Sequence, residues 1–190
     1  MADPSPHTPS PPGRQGHFRQ WWRKVVKDDH MRGDRAELRR ASTTNLCLFV
    51  PMFHDLKERI GPADLDALAA AARVLVHVRD DAPKTALGKA LGARRAGSDF
   101  RVMRELRLRR LIQAEELEDV VRQFRRAVAL LDRTANVGAL GVTVYAFASA
   151  AKAPDRRDEV ARKLLLDYYG APATDDRSAN TESDRERSEP

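Results

Sequence analysis

The chain has 190 residues, with 34 Lys and Arg against 28 Asp and Glu, which gives a formal net charge of +6. A hydrophobic fraction of 42% is enough for one packed domain, and its aliphatic bias favours helices, since only 6% of the residues are aromatic. The lone Cys47 excludes a disulfide scaffold and any zinc site built on cysteine pairs.

The charge is distributed unevenly along the chain. Residues 171–190 hold six acids against three arginines, a net charge of −3, and residues 1–16 are neutral, so residues 17–170 have a net charge of +9. Of the 34 basic residues, 27 are arginine, the side chain that binds phosphate through its planar fork and stacks on bases. The composition therefore points to a polyanionic partner.

Both ends of the chain lack periodic apolar residues and are rich in Pro, Ser, Asp and Arg. We therefore expect residues 1–16 and 171–190 to be disordered and residues 17–170 to fold. The first residues lack the apolar stretch of a signal peptide, and the uncharged run at 134–151 falls short of the ~20 mostly apolar residues of a membrane span. These features predict a cytoplasmic protein without a membrane segment.

The first half of the folded part predicts four helices. A helix from Phe18 places both tryptophans in the core and is ended by Gly33, and Asp34 then begins a short helix as a capping residue. The apolar run 46–53 fits a strand or a buried helix, and we interpret it as a helix because no hairpin partner follows. The fourth helix begins at the Gly61-Pro62 pair and stops near residue 80.

The second half begins with residues 80–98, where repeated glycines beside basic residues predict a flexible basic loop. Pro154 is expected to begin the last helix and Gly170 to end it. The fold class is therefore all-α, either one compact bundle or two small helical lobes at about 17–80 and 99–170. The helices expected in this half are 99–112, 115–133, 137–151 and 154–169.

Four residues in the order His30, His54, Asp55 and Asp80 imitate the metal ligands of HD-type phosphohydrolases, in which a divalent ion activates water. Against this hypothesis, His54 and Asp55 lie on a charged helix end, and four common residues fall into a given order easily by chance. We therefore expect no catalytic residue, no metal and no cofactor. His77 lies off the apolar face of its helix and is expected at the surface.

Arginines are concentrated between residues 94 and 110, where seven face only two acids. Such a cluster either neutralises phosphates, which gives salt-dependent and sequence-tolerant binding, or is a solvated surface. Arg122 is expected to pair with the acids three and four residues before it, whereas Arg125 and Arg126 have fewer acids nearby. The seven clustered arginines are Arg94, Arg95, Arg101, Arg104, Arg107, Arg109 and Arg110.

Four segments in this order resemble the CasB family, the small subunit of Cascade, the type I-E CRISPR RNA-guided surveillance complex. They are residues 21–40 with RAELRRA, TALGKALG at 85–92, the run DFRVMRELRLRRLIQAEELEDVVRQFRRAVALL at 99–131, and RRDEVARKLLLDYYG at 156–170. The similarity covers about 150 residues. Its most specific parts are RRLI, FRRAV and the closing DYY.

The resemblance implies an all-α, non-catalytic subunit that assembles as a head-to-tail dimer with the other Cascade subunits, crRNA and target DNA. Its basic face would bind the displaced non-target strand and stabilise the R-loop in antiviral defence. Two alternatives stay open: a free-standing helical regulator that binds DNA or RNA, and an HD-type phosphohydrolase. The matching basic residues are Arg39, Arg40, Lys89, Arg101, Arg104, Arg107, Arg110, Arg125 and Arg126.

Overall fold

A computed structural model describes residues 13–95 and 97–171 of the chain, and it is mostly helical. The all-α prediction is confirmed, with two short strands as a minor addition, Asp80–Asp81 (β1) and Thr134–Ala135 (β2), which pair in parallel. The helices are Arg14–Trp22 (α1), Arg32–Arg40 (α2), Thr44–Cys47 (α3), Pro51–Ile60 (α4), Leu65–Leu75 (α5), Leu87–Gly92 (α6), Glu105–Ile112 (α7), Leu117–Leu130 (α8), Val137–Ala148 (α9) and Pro154–Tyr169 (α10).

The core is organised around α5 and α9, which pack against each other and are covered by α1, α4 and α8. Helix α9 contains no charged residue, and nearly all of α5 is buried, so both need apolar neighbours on several sides. The buried apolar residues form one cluster with members from both of the expected lobes. None of the helices in the described ranges is both long and apolar enough to cross a membrane.

Two tryptophans fix α1 in this core, as the sequence predicts. Trp21 is fully buried and Trp22 is 2% exposed. The indole N–H of Trp21 donates to the carbonyl of Met52 at 2.6 Å, and that of Trp22 to the carbonyl of Val78 at 3.2 Å. Both buried donors are thus satisfied, and α1 is tied to the start of α4 and to the segment after α5.

The N-terminal boundary differs from the prediction. Helix α1 begins at Arg14, so residues 14–16 are helical rather than disordered. This turn is held by packing, because a side chain at Gly138 of α9 would meet the carbonyl oxygen of Gln15 at 2.8 Å. The other residues expected to be disordered, 1–12 and 172–190, lie outside the described residues.

Helix ends in the first half were also mispredicted. Helix α1 continues as a π-helical turn over Arg23–Lys27 and ends at Asp28, where the backbone becomes extended. Gly33 lies inside α2 instead of ending a helix. Asp34 does not cap α2: its carboxylate accepts the N–H of Met52 at 3.0 Å, at the beginning of α4. The apolar run 46–53 is divided, since α3 ends at 47 and Pro51 begins α4. Asp64, rather than the Gly-Pro pair, caps α5.

Residues 80–98 were expected to be a flexible loop, yet they contain α6, which packs closely on α10. A side chain at Gly88 or Gly92 would collide with the carbonyl oxygens of Leu164 and Tyr168, so these glycines allow the two backbones to touch. The helix expected from 99 begins only at 105, because the preceding residues run beside α6, where the N–H of Met103 donates to the carbonyl of Leu91.

An ion pair between a buried arginine and a glutamate whose side chain is 57% exposed joins α5 to α8. Arg73 is 2% exposed among the apolar residues of α5, and its two terminal nitrogens donate to the carboxylate oxygens of Glu118 at 2.7 and 2.6 Å. These hydrogen bonds are the main reason that the pKa of Glu118 lies below its ordinary value of 4.5. The spacing in the sequence assigned Glu118 to Arg122 instead, but Arg122 contacts only Asp119 among the carboxylates of the described residues.

The close contact of α6 with α10 predicts that Gly92→Ala destabilises the fold. The added methyl group has no space beside the Tyr168 carbonyl, so we expect the free energy of unfolding in urea to fall by about 1–3 kcal/mol. Gly33→Ala is the control, because nothing lies within 4 Å of its Cβ position inside α2. It should raise stability by about 0.5–1 kcal/mol. Equal stability of the two variants would contradict the contact.

The ion pair predicts a dependence on acid. Glu118→Gln should cost about 1–3 kcal/mol: Arg73 then stays buried without a counter-charge, but the exposed side of the pair is screened by solvent, so the loss is smaller than for a fully buried pair. A carboxyl whose pKa is lowered by folding stabilises the fold above its unfolded pKa, and this stability disappears as the pH falls through the folded pKa. The wild type should therefore lose more stability than Glu118→Gln on acidification below 4.5. The exposed Glu115→Gln should follow the wild type in thermal melts, and parallel curves for all three proteins would contradict the role of the pair.

Candidate nucleic-acid interface

Helices α7 and α8 pack side by side and present arginines along their seam. Leu108 and Leu111 of α7 are buried, and α8 buries Val120, Val121 and Phe124 on the opposite side of the seam. The polar positions of both helices consequently face outward. Arg107 and Arg110 lie three residues apart on α7, and Arg122 and Arg126 lie four apart on α8, so each pair occupies one helix face.

Two adjoining cavities of about 470 Å³ each follow this seam. The first has an apolar floor of Met103, Ala129 and Leu130, and the second continues past Arg110 and Arg126, which line both. We call the two together the arginine groove. Its polar lining is Arg107, Arg110, Gln113, Asp119, Arg122, Gln123 and Arg126.

Three cations of the arginine groove have no acidic partner among the residues that the structure describes. Asp119 is engaged by Arg122 and by the side-chain amide of Gln123. The guanidinium groups of Arg107, Arg110 and Arg126 form no ion pair within 4.0 Å in the described ranges. All three residues are exposed. The groove therefore presents three positive charges that are free to bind an anion.

Arg101 lies in a different environment. One of its terminal nitrogens donates to the carbonyls of Gly92 and Tyr168, at 2.7 and 2.8 Å, and its guanidinium stacks 4.8 Å from the ring centre of Tyr168. These carbonyls belong to the last turns of α6 and α10, where a cation is favourable. Arg101 thus ties the two helix ends together. Its neighbour Arg104 is exposed and stacks on Phe100 at 4.3 Å.

A second basic cluster lies where α2, α5 and α8 meet. Arg39 donates to the carbonyl of Val76 at 3.0 Å, and Arg125 donates to the carbonyls of Arg73 and Arg39. Burial is the largest cause of the lowered pKa of both arginines. Arg39 thus uses its Nε, and Arg125 its Nε and one terminal nitrogen, to hold the fold. Arg40 at the end of α2 and Lys89 on α6 are exposed.

His77 is not at the surface, contrary to the prediction. It is half-buried beside this second cluster, and its Nε2 has no hydrogen-bond partner in the described structure. Burial, followed by the charges of Arg125, Arg39 and Arg133, lowers the pKa of His77 to about 4. The histidine is therefore neutral at physiological pH.

The residues of the HD-type hypothesis are separated by their contacts. Asp55 is paired with Lys24 and Arg59, and Asp80 with Lys27 and Arg79. His54 contacts the carbonyl of Leu48 through Nε2. Within residues 13–95 and 97–171, no three His, Cys, Asp or Glu side chains are placed to hold a metal ion together.

No match was found among curated proteins or among solved structures. The family model described as CRISPR-associated protein Cse2, a family also named CasB, matches residues 34–169, which include α3 to α10. This family is that of a structural, generally non-catalytic subunit of type I-E Cascade, and the match covers well over half of the chain. The chain belongs to the CRISPR-associated Cse2 family.

Proposed function

We propose that this chain is a non-catalytic small subunit of a type I-E Cascade complex that binds the backbone of the displaced non-target DNA strand and thereby stabilises the R-loop. The observation that supports this most is the convergence of Arg107, Arg110 and Arg126 on one groove without acidic partners in the described structure. Assembly with the other Cascade subunits and crRNA, head-to-tail self-association and a cytoplasmic location belong to the same proposal.

The chemistry of the arginine groove suits a strand whose sequence differs with every target. Guanidinium groups bind phosphate oxygens, which every nucleotide provides, and the apolar floor offers contact to sugars and base faces without reading base edges. R-loop formation exchanges duplexes of similar stability, so a few backbone contacts are enough to shift the balance. We expect the isolated subunit to bind a single strand weakly.

The nine predicted basic residues contribute differently to this proposal. Arg107, Arg110 and Arg126 line the groove and are assigned direct phosphate contacts. Arg40, Lys89 and Arg104 are exposed and extend the basic surface. Arg39, Arg101 and Arg125 already donate to backbone carbonyls, so we assign them mainly to the positioning of the helices.

Charge reversal in the groove tests the proposal directly. The triple variant Arg107→Glu, Arg110→Glu, Arg126→Glu should weaken binding of a single-stranded DNA at low salt. It should also lower the slope of log K against log salt by roughly 0.7 for each lost phosphate contact. The matched control reverses Lys57, Arg156 and Arg162, three exposed cations of α4 and α10. Identical affinity and slope in both variants, with unchanged circular dichroism, would refute the groove as the interface.

Arg101 and Arg107 separate positioning from binding. Arg101→Ala removes one donor from each of two carbonyls and also the stacking on Tyr168, so the free energy of unfolding should fall by about 1–3 kcal/mol. Arg107→Ala should leave stability within about 0.5 kcal/mol of the wild type, because the side chain is exposed. Its DNA affinity should fall nevertheless. A loss of stability in Arg107→Ala, with Arg101→Ala as stable as the wild type, would contradict the roles assigned to these two residues.

Co-purification with the other Cascade proteins and a crRNA tests the assembly. Recovery of the chain in the complex supports the subunit role. A chain that binds DNA but stays outside the complex would instead favour the free-standing regulator.

A further inference from the structure

The arginine groove lies next to the end of the described chain. The hydroxyl of Tyr168, in the last turn of α10, donates to the carbonyl of Met103 at 2.7 Å. Met103 in turn lines the first cavity of the groove. Ala171, the last described residue, comes three positions after Tyr168. The segment 172–190 therefore follows a helix end that contacts a residue of the groove.

Residues 172–190 are the most acidic part of the chain. They contain six carboxylates against three arginines, whereas the described part at the groove has three cations without acidic partners. The first two acids are only four and five residues beyond Ala171, a reach of up to about 14–17 Å in extended chain. The acids are Asp175, Asp176, Glu182, Asp184, Glu186 and Glu189.

The whole segment of nineteen residues spans up to about 60 Å when extended, against about 20 Å for the length of α8. The distance thus allows its carboxylates to meet both cavities. Because the segment is attached to the fold, its effective concentration at the groove is of millimolar order, even where each exposed ion pair is weak.

We propose that residues 172–190 dock in the arginine groove through ion pairs between their carboxylates and Arg107, Arg110 and Arg126. Since the segment offers no apolar anchor, the contact is electrostatic and is weakened by salt. The consequence for nucleic acid rests on the proposed function: the segment competes with the strand for the same three cations. A polyanion with dense charge displaces the segment from the groove, whereas the segment prevents weak and transient contacts of nucleic acid with the same cations.

Docking is tested without nucleic acid by paramagnetic relaxation. A spin label on Ser178→Cys in the full chain should broaden the backbone amides of α7 and α8 at low salt, but those of α4 much less. Cys47 is buried and should remain unlabelled. Changing the six acids to Asn and Gln should abolish the broadening, and so should the triple groove reversal. Broadening that survives both changes, or is absent from the starting protein, would overturn docking.

Competition is tested by deletion of residues 172–190. Single-strand affinity at low salt should rise by about five- to tenfold, the size of three exposed ion pairs. The slope of log K against log salt should steepen. Without the segment, the groove arginines are neutralised by salt ions, and the strand releases these ions when it binds. The neutralised segment should behave like the deletion. Unchanged affinity would overturn competition.

The two proposals fail in different ways. Loss of the broadening with intact dependence of DNA binding on the groove arginines refutes the docking alone. Broadening that is present in the starting protein and abolished by groove reversal, together with DNA binding that the same reversal leaves unchanged, refutes the proposed function alone.

Discussion

The contact on which the rest of the arginine groove depends is the ion pair between Arg73 and Glu118. Arg73 is the one charged residue buried within α5, so its guanidinium needs a counter-charge at that point and donates to both oxygens of Glu118. A helix turns by about 100° per residue, so fixing Glu118 and the apolar stripe of α8 fixes the direction of every other side chain on that helix. Arg122 and Arg126 face α7 for this reason.

The position of α7 is determined from the other side of the groove. Gly88 and Gly92 allow α6 to touch α10, and Arg101 joins the ends of both helices through two carbonyls and a tyrosine ring. The backbone of Met103 is held by Leu91 and by the Tyr168 hydroxyl, and α7 begins two residues later. The geometry of the groove thus depends on residues that do not themselves face it.

The sequence predicts those features that depend on local patterns. The apolar stripe of α8, the proline that begins α10 and the buried tryptophans follow from helical periodicity and residue type, and the structure confirms them. The errors arise where the partner is distant in sequence. Asp34 caps a helix that begins seventeen residues later. At Gly92 only a glycine fits because α10 crosses there, but in the sequence this residue is one glycine among basic residues and predicts a loop.

The same limit applies to the candidate site. The acids close to Arg122 in the sequence correctly predicted that it forms an ion pair. The spacing in the sequence did not distinguish Arg101, which donates to two carbonyls, from Arg107, which donates to none in the described structure. Both look like cations of one basic segment. The difference between them arises because Arg101 contacts the end of α10 and Arg107 does not, and such a tertiary contact cannot be derived from their spacing in the sequence.

This division determines how the net charge of the folded part acts on a polyanion. Many of its cations are neutralised by carboxylates or bound to carbonyls, as Arg73 and Arg125 are, and these add little to the binding of phosphate. The capacity that remains for a ligand is set by cations that lie close together and have no acidic partner in the described structure, which is the arrangement of Arg107, Arg110 and Arg126. Three such charges in one groove release counterions at one site, whereas the same charges spread over the surface would be screened separately beyond a Debye length of about 10 Å. Under the proposed function, affinity for a strand therefore depends on the packing of α7 against α8 more than on the overall basicity of the chain.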